Sequence, residues 1–298
     1  METVKLDTVD KYNKLYGLET LHPLVTIVDL TKAQKIVNHI LMDYGLYALF
    51  LKNGKECTLK YGRREYDYTE GTITSFAPGQ VVEVNMLGNE FKPHVYGLLF
   101  HPDLIRRTSL GQNIEKYNFF SYSSFEALHL SERERKIVMD CFEHIQQDLE
   151  YPIDSHSKQI ISTKIELLLN YCLRFYERQF ITRELENRDV LQKFEYLINE
   201  YLSSDLPQDI GLPTVKYFAG KVHLSTNYFG DLIKKETGKS AQEYIQFKII
   251  ERAKDQIANT KLTMSEIAYS LGFGYPQHFG RVFKKNVGIT PNEYRSLN

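Results

Sequence analysis

Two short segments near the C-terminus carry hydrogen-bonding and cationic side chains at helical spacing. Phe229 with Leu232, and Phe279 with Val282, stand three residues apart, so each segment predicts a helix with one apolar and one polar face. Amide, hydroxyl and guanidinium groups can read base edges, while lysines and helix N-termini hold phosphates. The polar faces consist of Thr226, Asn227, Asp231, Lys234 and Lys235 in the first segment and Gln277, His278, Arg281, Lys284 and Lys285 in the second. This layout is typical of recognition helices that enter a major groove.

The two segments are copies of one unit. From Phe229 and Phe279 onward they align at a constant offset of 50 residues (279 minus 229). The matching positions are Gly230 with Gly280, Lys234-Lys235 with Lys284-Lys285, Gly238 with Gly288, and Glu243-Tyr244 with Glu293-Tyr294. A short helix precedes each segment, and Ser225 or Pro276 suits the start of the second helix, which completes a helix-turn-helix pattern. Because their polar faces differ, the two copies are expected to read different half-elements of DNA.

A single amphipathic helix is predicted between the copies, over residues 240–259. Its apolar stripe consists of Tyr244, Phe247, Ile250, Ala253 and Ile257. Such a spacer could present both recognition helices to successive major-groove faces, which lie ~34 Å apart. The charge distribution agrees, since residues 207–298 contain 13 Lys and Arg against 8 Asp and Glu, whereas residues 1–206 contain 24 against 30. A basic C-terminal region suits a polyanionic partner.

The N-terminal part of the chain predicts β-structure. β-branched and aromatic runs at residues 24–28, 47–51, 81–84 and 95–100 predict strands, and the turns between them fall at Asn53-Gly54, Glu70-Gly71 and Pro78-Gly79. Many short strands with such turns favour a barrel or a sandwich. One helix is predicted to interrupt the strands at Thr31–Asp43, with Thr31 as its N-cap.

The pattern becomes helical from residue 131 to about residue 201. Ser131 and Glu134 have capping-box spacing, and Pro152 ends the helix that they begin. The apolar stripe of this helix is Ile137, Cys141, Ile145 and Leu149. Further helices are predicted over residues 154–180 and 190–202. Their apolar faces allow two interpretations, packing within one chain or a helix–helix seam between two copies.

The C-terminal region closely resembles the DNA-binding domain of AraC/XylS-family regulators, over about Leu212–Arg295. The motifs that carry the resemblance are Phe218-Ala219, Leu224-Ser225, Tyr228-Phe229, Gly272-Phe273, Phe283-Lys284-Lys285 and Gly288-Ile-Thr-Pro-Asn-Glu-Tyr-Arg295. In this family the second helix of each unit enters the major groove. The DNA-binding residues that this implies are Ser225, Thr226, Asn227, Tyr228, Asp231, Lys234, Lys235, Tyr275, Gln277, His278, Arg281, Lys284 and Lys285. The chain departs from the family at Ile249, where a basic residue is common, and at Tyr275, where a small capping residue is frequent.

The N-terminal region is similar to the cupin-type sensory domain of the same family, through the segment Glu70-Gly71-Thr-Ile-Thr-Ser-Phe76-Ala-Pro-Gly79. The resemblance implies an α+β chain with a cupin-like β-barrel effector or dimerisation domain at 1–130 and a helical linker or dimerisation region at 131–206. An all-α DNA-binding domain with two helix-turn-helix units follows at 207–298. The implied function is a sequence-specific transcription regulator, an activator controlled by a small effector. Double-stranded DNA, RNA polymerase and a second copy of the chain are the implied partners. A fragment that begins near Pro207 is expected to keep DNA binding, though more weakly than the full chain.

No enzymatic activity, cofactor or metal is expected. The nine histidines include no HxH pair, and the chain contains no P-loop, GxSxG or GxGxxG motif. Cys57, Cys141 and Cys172 are too scattered for a metal pair or a disulfide framework, and we expect reduced thiols in packed positions.

No apolar run approaches the ~18–20 residues of a membrane span, and no signal-peptide core follows the N-terminus, so a cytoplasmic protein is expected. The alternative function is a cupin-type small-molecule-binding protein whose helical tail mediates protein contacts. Salt dependence distinguishes the two functions, because a DNA binder loses affinity steeply as salt rises.

Overall fold

A computed structural model of the chain describes residues 3–35, 37, 40–52, 71–84, 94–122, 126–182 and 184–297. The chain divides into two compact units, Met1–Thr182 (unit 1) and Arg183–Asn298 (unit 2). Unit 1 contains strands and helices, whereas the described part of unit 2 is helical, which confirms the α+β class. This division falls at a different place from the predicted domain limits after residues 130 and 206, which stay predictions.

Two sheets form the β-structure of unit 1. The strands are β1 Thr3–Leu6, β2 Val25–Asp29, β3 Ile40–Tyr44, β4 Tyr47–Lys52, β5 Thr72–Phe76, β6 Gln80–Val84, β7 Val95–Phe100 and β8 Leu128–His129. One sheet has the order β1-β3-β6 and the other β2-β7-β4-β5-β8. The β1–β3 pair is parallel and the remaining pairs are antiparallel. The four strands predicted from β-branched and aromatic runs are confirmed as β2, β4, β6 and β7.

The two sheets share one hydrophobic core. Met42 comes from the three-stranded sheet and Phe50 and Phe76 come from the five-stranded sheet. The rings of Tyr44 and Phe76 stack at 5.4 Å, and so join the two sheets directly. Gly97 makes room for this packing, since a Cβ there would lie 2.5 Å from the Phe50 ring. Aromatic side chains therefore fill the space between the described strands. A cupin-type barrel stays a prediction.

The helix predicted at Thr31–Asp43 is wrong. The chain makes a 3₁₀ turn at Leu30–Lys32, where the Asp29 carboxylate accepts a hydrogen bond from the Thr31 amide at 3.0 Å, so Asp29 is the cap instead of Thr31. β3 then begins at Ile40, and alternate residues of this strand are buried. The apolar residues have the two-residue period of a half-buried strand, and pairing with β1 and β6 satisfies its backbone.

The helices of unit 1 are α1 Val9–Tyr16, α2 Pro102–Ile105, α3 Ser109–Asn113, α4 Glu132–Leu149 and α5 Ser157–Thr182. The predicted capping box of α4 is confirmed, with the Ser131 amide donating to Glu134 at 2.8 Å. α4 ends before Pro152, as predicted. Cys141 and Cys172 are buried free thiols, and burial raises the pKa of both. Cys57, Asn53-Gly54 and Glu70 lie outside the described residues.

The helices of unit 2 are α6 Glu184–Ser203, α7 Leu206–Ile210, α8 Val215–Lys221, α9 Thr226–Thr237, α10 Ala241–Asn259, α11 Met264–Ser270, α12 Pro276–Val287 and α13 Pro291–Leu297. Two short–long pairs, α8–α9 and α11–α12, lie on either side of the 19-residue α10. In the part of the chain that is described, no helix has the length and hydropathy to cross a membrane. The same residues bring no three His, Cys, Asp or Glu side chains together in a way that could hold a metal ion.

Candidate nucleic-acid interface

Local capping fixes both ends of α9. Ser225 is the N-cap, and its hydroxyl accepts a hydrogen bond from the Tyr228 amide at 3.2 Å, as the sequence predicts. Gly238 ends the helix in the left-handed conformation, with φ of 73°, and its amide donates to the Lys234 carbonyl at 2.9 Å. Glycine carries no Cβ penalty at such a C-terminal position.

The start of α12 is built differently from the start of α9. Tyr275 is the N-cap residue, but its side chain makes no capping hydrogen bond. Pro276, at the start of the helix, supplies a fixed φ and has no amide hydrogen that needs a partner. Gly288 ends α12 at φ of 91°, matching Gly238 in the first copy. Tyr275, which stands where a small capping residue is frequent, therefore leaves α12 without a side-chain cap.

Each long helix buries its apolar face. In α9, Phe229, Leu232 and Ile233 are buried. In α12, Phe279 and Phe283 are buried, while Val282 is half-buried. The buried sets occupy the same places in the repeat, so α9 and α12 present equivalent opposite faces to solvent.

Most of the predicted site residues lie on those outward faces. The exposed ones are Thr226, Asn227, Lys234 and Lys235 on α9 and Tyr275, Gln277, His278, Arg281, Lys284 and Lys285 on or beside α12. Ser225 and Asp231 are half-buried. No ion pair between described residues engages the four lysines or Arg281. These five cations are therefore available to an external anion.

Tyr228 and His278 occupy the same position of the repeat but different environments. Tyr228 is only 5% exposed, so the structure places it in the core of unit 2 and not on the outward face. His278 is exposed, and its ring meets the edge of Phe273 at 5.5 Å. Only the second copy therefore presents a side chain outward at this position.

The stripe predicted for α10 needs one correction. Phe247 is 41% exposed, and the Lys239 ammonium lies 4.7 Å from its ring. The buried face is carried instead by Ile245 and Ile249 together with the predicted Ile250, Ala253 and Ile257. Ile249 thus replaces the family's common basic residue with a core side chain. Phe247 fits the helical spacing of the predicted stripe. The face of α10 that packs against the neighbouring helices is, however, centred one to two residues away from Phe247.

Helix α6 is an integral part of unit 2, which the sequence did not reveal. Phe194 of α6 is fully buried and meets the rings of Phe218 at 5.1 Å, Phe229 at 5.0 Å and Tyr244 at 5.6 Å. This cluster joins α6 to α8, α9 and α10. The helical spacing of the buried residues in α6 was visible by sequence, but the identity of their partners was not.

A polar contact reinforces this aromatic cluster. The Tyr244 hydroxyl donates to the Glu195 carboxylate, and burial together with this hydrogen bond raises the pKa of Tyr244. The Lys248 ammonium lies 3.8 Å from the same carboxylate and 5.6 Å from the Tyr244 ring. Lys248, which stands beside Ile249, is therefore held within unit 2 and is less available to a phosphate than the lysines of α9 and α12.

A close backbone contact joins the loop after α7 to the turn between α11 and α12. Gly272 has φ of 89°, and a Cβ on it would lie 2.6 Å from the carbonyl carbon and oxygen of Gly211. The Tyr201 hydroxyl of α6 in turn donates to the Gly211 carbonyl oxygen at 2.9 Å. This contact gives a physical reason for the Gly272-Phe273 motif, since only glycine fits that turn.

The closing motif of the chain, Gly288–Arg295, connects α13 to α12 and α10. The Thr290 amide donates to the Glu293 carboxylate at 2.6 Å, which fixes the start of α13. The Tyr294 ring then packs against Phe283 of α12 at 5.6 Å, and Arg295 Nε donates to the Ile257 carbonyl of α10 at 3.2 Å. The residues of this motif, which carry part of the family resemblance, therefore make contacts within unit 2. As a group they do not face outward.

Comparisons with known proteins found relatives of this chain among transcriptional regulators. A helix-turn-helix domain family model matches residues 218–296. The uncharacterized HTH-type transcriptional regulator YijO of Escherichia coli K12 is 22% identical over 225 residues, which cover 76% of each chain. The uncharacterized HTH-type transcriptional regulator YobQ of Bacillus subtilis is 32% identical over 109 residues, which cover 37% of this chain and only 44% of that protein.

Among solved structures, the C-terminal domain of the two-component response regulator yesN from Fusobacterium nucleatum is similar, with 30% identity and a TM-score of 0.32, over 36% of this chain and 98% of that one. The matched relatives are transcriptional regulators, which confirms the expectation of a non-enzymatic chain. Residues 218–296 therefore contain a helix-turn-helix domain similar to those of DNA-binding transcription regulators.

Proposed function

We propose that α8–α9 and α11–α12 are two helix-turn-helix units and that α9 and α12 are recognition helices of a cytoplasmic, sequence-specific regulator. The observation that carries this proposal is the pair of matched outward faces, each with unpaired cations on a helix whose opposite face is buried. Polar side chains at the start and middle of each helix would read bases, and the lysines in its last turn would hold phosphates. The two faces differ at Asp231 and Arg281, so the half-elements that they read differ as well.

Two substitutions distinguish side chains that read bases from side chains that hold phosphates. Arg281→Ala should weaken binding to a selected site by ~1–3 kcal/mol and affect random DNA much less, if the guanidinium reads a base. Lys234→Ala should weaken binding to both DNAs alike and reduce the salt slope by about one unit. Lys136→Ala, at an exposed position of α4 in unit 1, is the control and should change neither. A salt slope near zero for the unmodified chain would instead favour the alternative, a small-molecule-binding protein whose helical tail contacts proteins.

We propose that a second copy of the chain packs against the outer face of α5. Ile160 and Leu167 are about half exposed and stand seven residues apart, so they lie on one face of the helix while its other face is buried. A pair of α5 helices would cover these side chains in a seam. Leu167→Glu should convert a dimer to a monomer in sedimentation experiments, whereas Glu177→Gln, at another exposed position of α5, should leave the dimer intact. A monomeric unmodified chain would contradict the proposal.

A cleft in unit 1 is the proposed site of the small effector. It has a volume of about 440 Å³ and lies between α4 and the outer side of β2 and β7. Phe142 and Leu149 form an apolar wall, and exposed Glu19, Glu143 and Glu150 stand at its edge. The other charged lining residues, Asp29 and Lys32, are paired with each other at 3.5 Å, so the net charge of the lining is negative. An organic molecule with an apolar body and a positive charge fits this combination.

A matched pair of probes tests the charge preference of this cleft. Phenethylamine should raise the melting temperature of the full chain, and phenylacetate, with a similar body but opposite charge, should not. Glu143→Lys should abolish the response to the amine. An equal response to both probes, or none to either, would argue against this site.

Activation through contact with RNA polymerase is proposed from the family resemblance. A reporter gene placed downstream of a selected binding site should gain transcription when the chain is expressed. Reduced transcription would identify a repressor and would remove RNA polymerase from the list of partners.

A further inference from the structure

Two half-buried glycines lie at the border of the outward faces. Gly230 lies three residues after Asn227 and four before Lys234, and Gly280 has the same position in α12. Residues at these spacings are neighbours on a helix surface. Both glycines therefore adjoin side chains proposed to contact DNA on one side and a buried residue, Ile233 or Phe283, on the other.

Neither glycine is required by the conformation of its helix. Gly238 and Gly288, which end the same helices, have positive φ, whereas Gly230 and Gly280 do not. In a helix interior glycine is a markedly poorer residue than alanine, because its backbone loses more freedom on folding. The repeat nevertheless places glycine at this position twice.

Packing within the chain does not require these glycines either. A Cβ added to Gly230 or Gly280 would meet no atom within 4 Å, apart from the helix's own backbone and the neighbouring residues. Gly97 shows the contrast, since a Cβ there would lie 2.5 Å from Phe50. Neither backbone conformation nor packing within the chain therefore explains why the repeat has glycine at this position in both copies.

We propose that DNA approaches the backbone of α9 at Gly230 and of α12 at Gly280 more closely than a Cβ would allow. The two glycines then set how deeply each helix enters the groove, which aligns the flanking polar side chains with the bases. This proposal rests on the proposed DNA-binding function and adds two positioning residues that carry no side chain of their own.

Single alanine substitutions in the full chain test the proposal. Gly230→Ala and Gly280→Ala should each raise the melting temperature, by about 2–6 °C, because alanine is the better helix former. Each should also weaken binding to a selected DNA site on the order of tenfold or more, since a displaced helix loses several base contacts at once. Gly220→Ala is the matched control, because this helical glycine of α8 also has open space at its Cβ and lies outside both recognition helices. It should gain stability and keep its affinity.

The outcomes separate this proposal from the function on which it rests. Unchanged affinity in both stabilised variants would overturn the close approach but leave DNA binding intact. A loss of affinity accompanied by a loss of stability would also overturn it, because the glycines would then serve the fold. If the unmodified chain shows no salt-dependent DNA binding, the proposed function and this inference fail together.

Discussion

Removal of the Phe194 ring should destabilise unit 2 far more than its place in a linker helix suggests. The ring is fully buried and meets three other aromatic rings from α8, α9 and α10. Truncation of a buried phenylalanine to alanine costs about 3–5 kcal/mol. A typical domain has only about 5–15 kcal/mol of stability, so Phe194→Ala should remove a large share of it. This loss corresponds to a fall of about 100- to 4,000-fold in the folding equilibrium constant.

Native-state hydrogen exchange of the full chain measures this effect by region. The amides of α9 and α10 should exchange faster by the same factor as the equilibrium constant falls, because their slowest exchange requires unit 2 to open. The amides of α4, in unit 1, serve as an internal reference. Tyr196→Ala is the matched control, since this aromatic residue two positions along α6 is 66% exposed and should cost less than ~0.5 kcal/mol. Equal exchange of α9 in Phe194→Ala and Tyr196→Ala would refute the assignment of α6 to the core of unit 2.

Three further predictions concern the same unit. A fragment comprising residues 183–298 should fold and bind DNA with a steep salt dependence, whereas one comprising 207–298 lacks α6 and should unfold at a much lower urea concentration and bind weakly. Gly272→Ala should lower the free energy of unfolding by about 2–4 kcal/mol in urea titrations, because it combines a positive φ with a backbone clash. The folded-state pKa of Glu293 is lowered below 4.5 by its bonds to Thr290, so its contribution to stability is present above that pH. The contribution should be lost as pH falls through the lowered pKa, and Glu293→Gln should reduce the decline of melting temperature in that range.

Each of these predictions has its own control. Equal DNA affinity and stability of the two fragments would show that the 207 boundary expected from the sequence is sufficient. Gly274→Ala places a Cβ in open space two residues beyond Gly272, so a comparable loss in both variants would contradict the clash. If Glu293→Gln melts with the same pH dependence as the unmodified chain, its carboxylate is not linked to acid unfolding.

The sequence predicted best those features that depend on a few neighbouring residues. Ser131 and Ser225 cap their helices through bonds to residues three positions away, and Pro276 needs only its own ring to suit the start of α12. The outward side chains of α9 and α12 followed from helical spacing for the same reason. Such local interactions are encoded within one turn of helix and can be read without knowledge of the fold.

Features that depend on distant partners were not predictable from the sequence. Ile40 and Met42 suited a helix by composition, and only their pairing between β1 and β6 makes them a strand. Tyr228 had the position of a contact residue, yet it is buried where the matching His278 is exposed. Phe194 belonged to an evident apolar face, but several helices could have covered it. In each case the deciding neighbour is distant in the sequence.

The Gly211–Gly272 contact has a consequence for the shape of the DNA. Together with α10, which packs against both helix pairs, it joins the second pair to the segment that leads into the first. If α9 and α12 are both recognition helices, their relative placement is set before DNA is met, and a duplex whose groove spacing differs from it has to bend or twist to meet both. Smooth bending of a site costs on the order of 1–6 kcal/mol and depends on the flexibility of its base steps. We therefore expect base pairs that no side chain touches, between the two half-elements, to influence affinity through their stiffness.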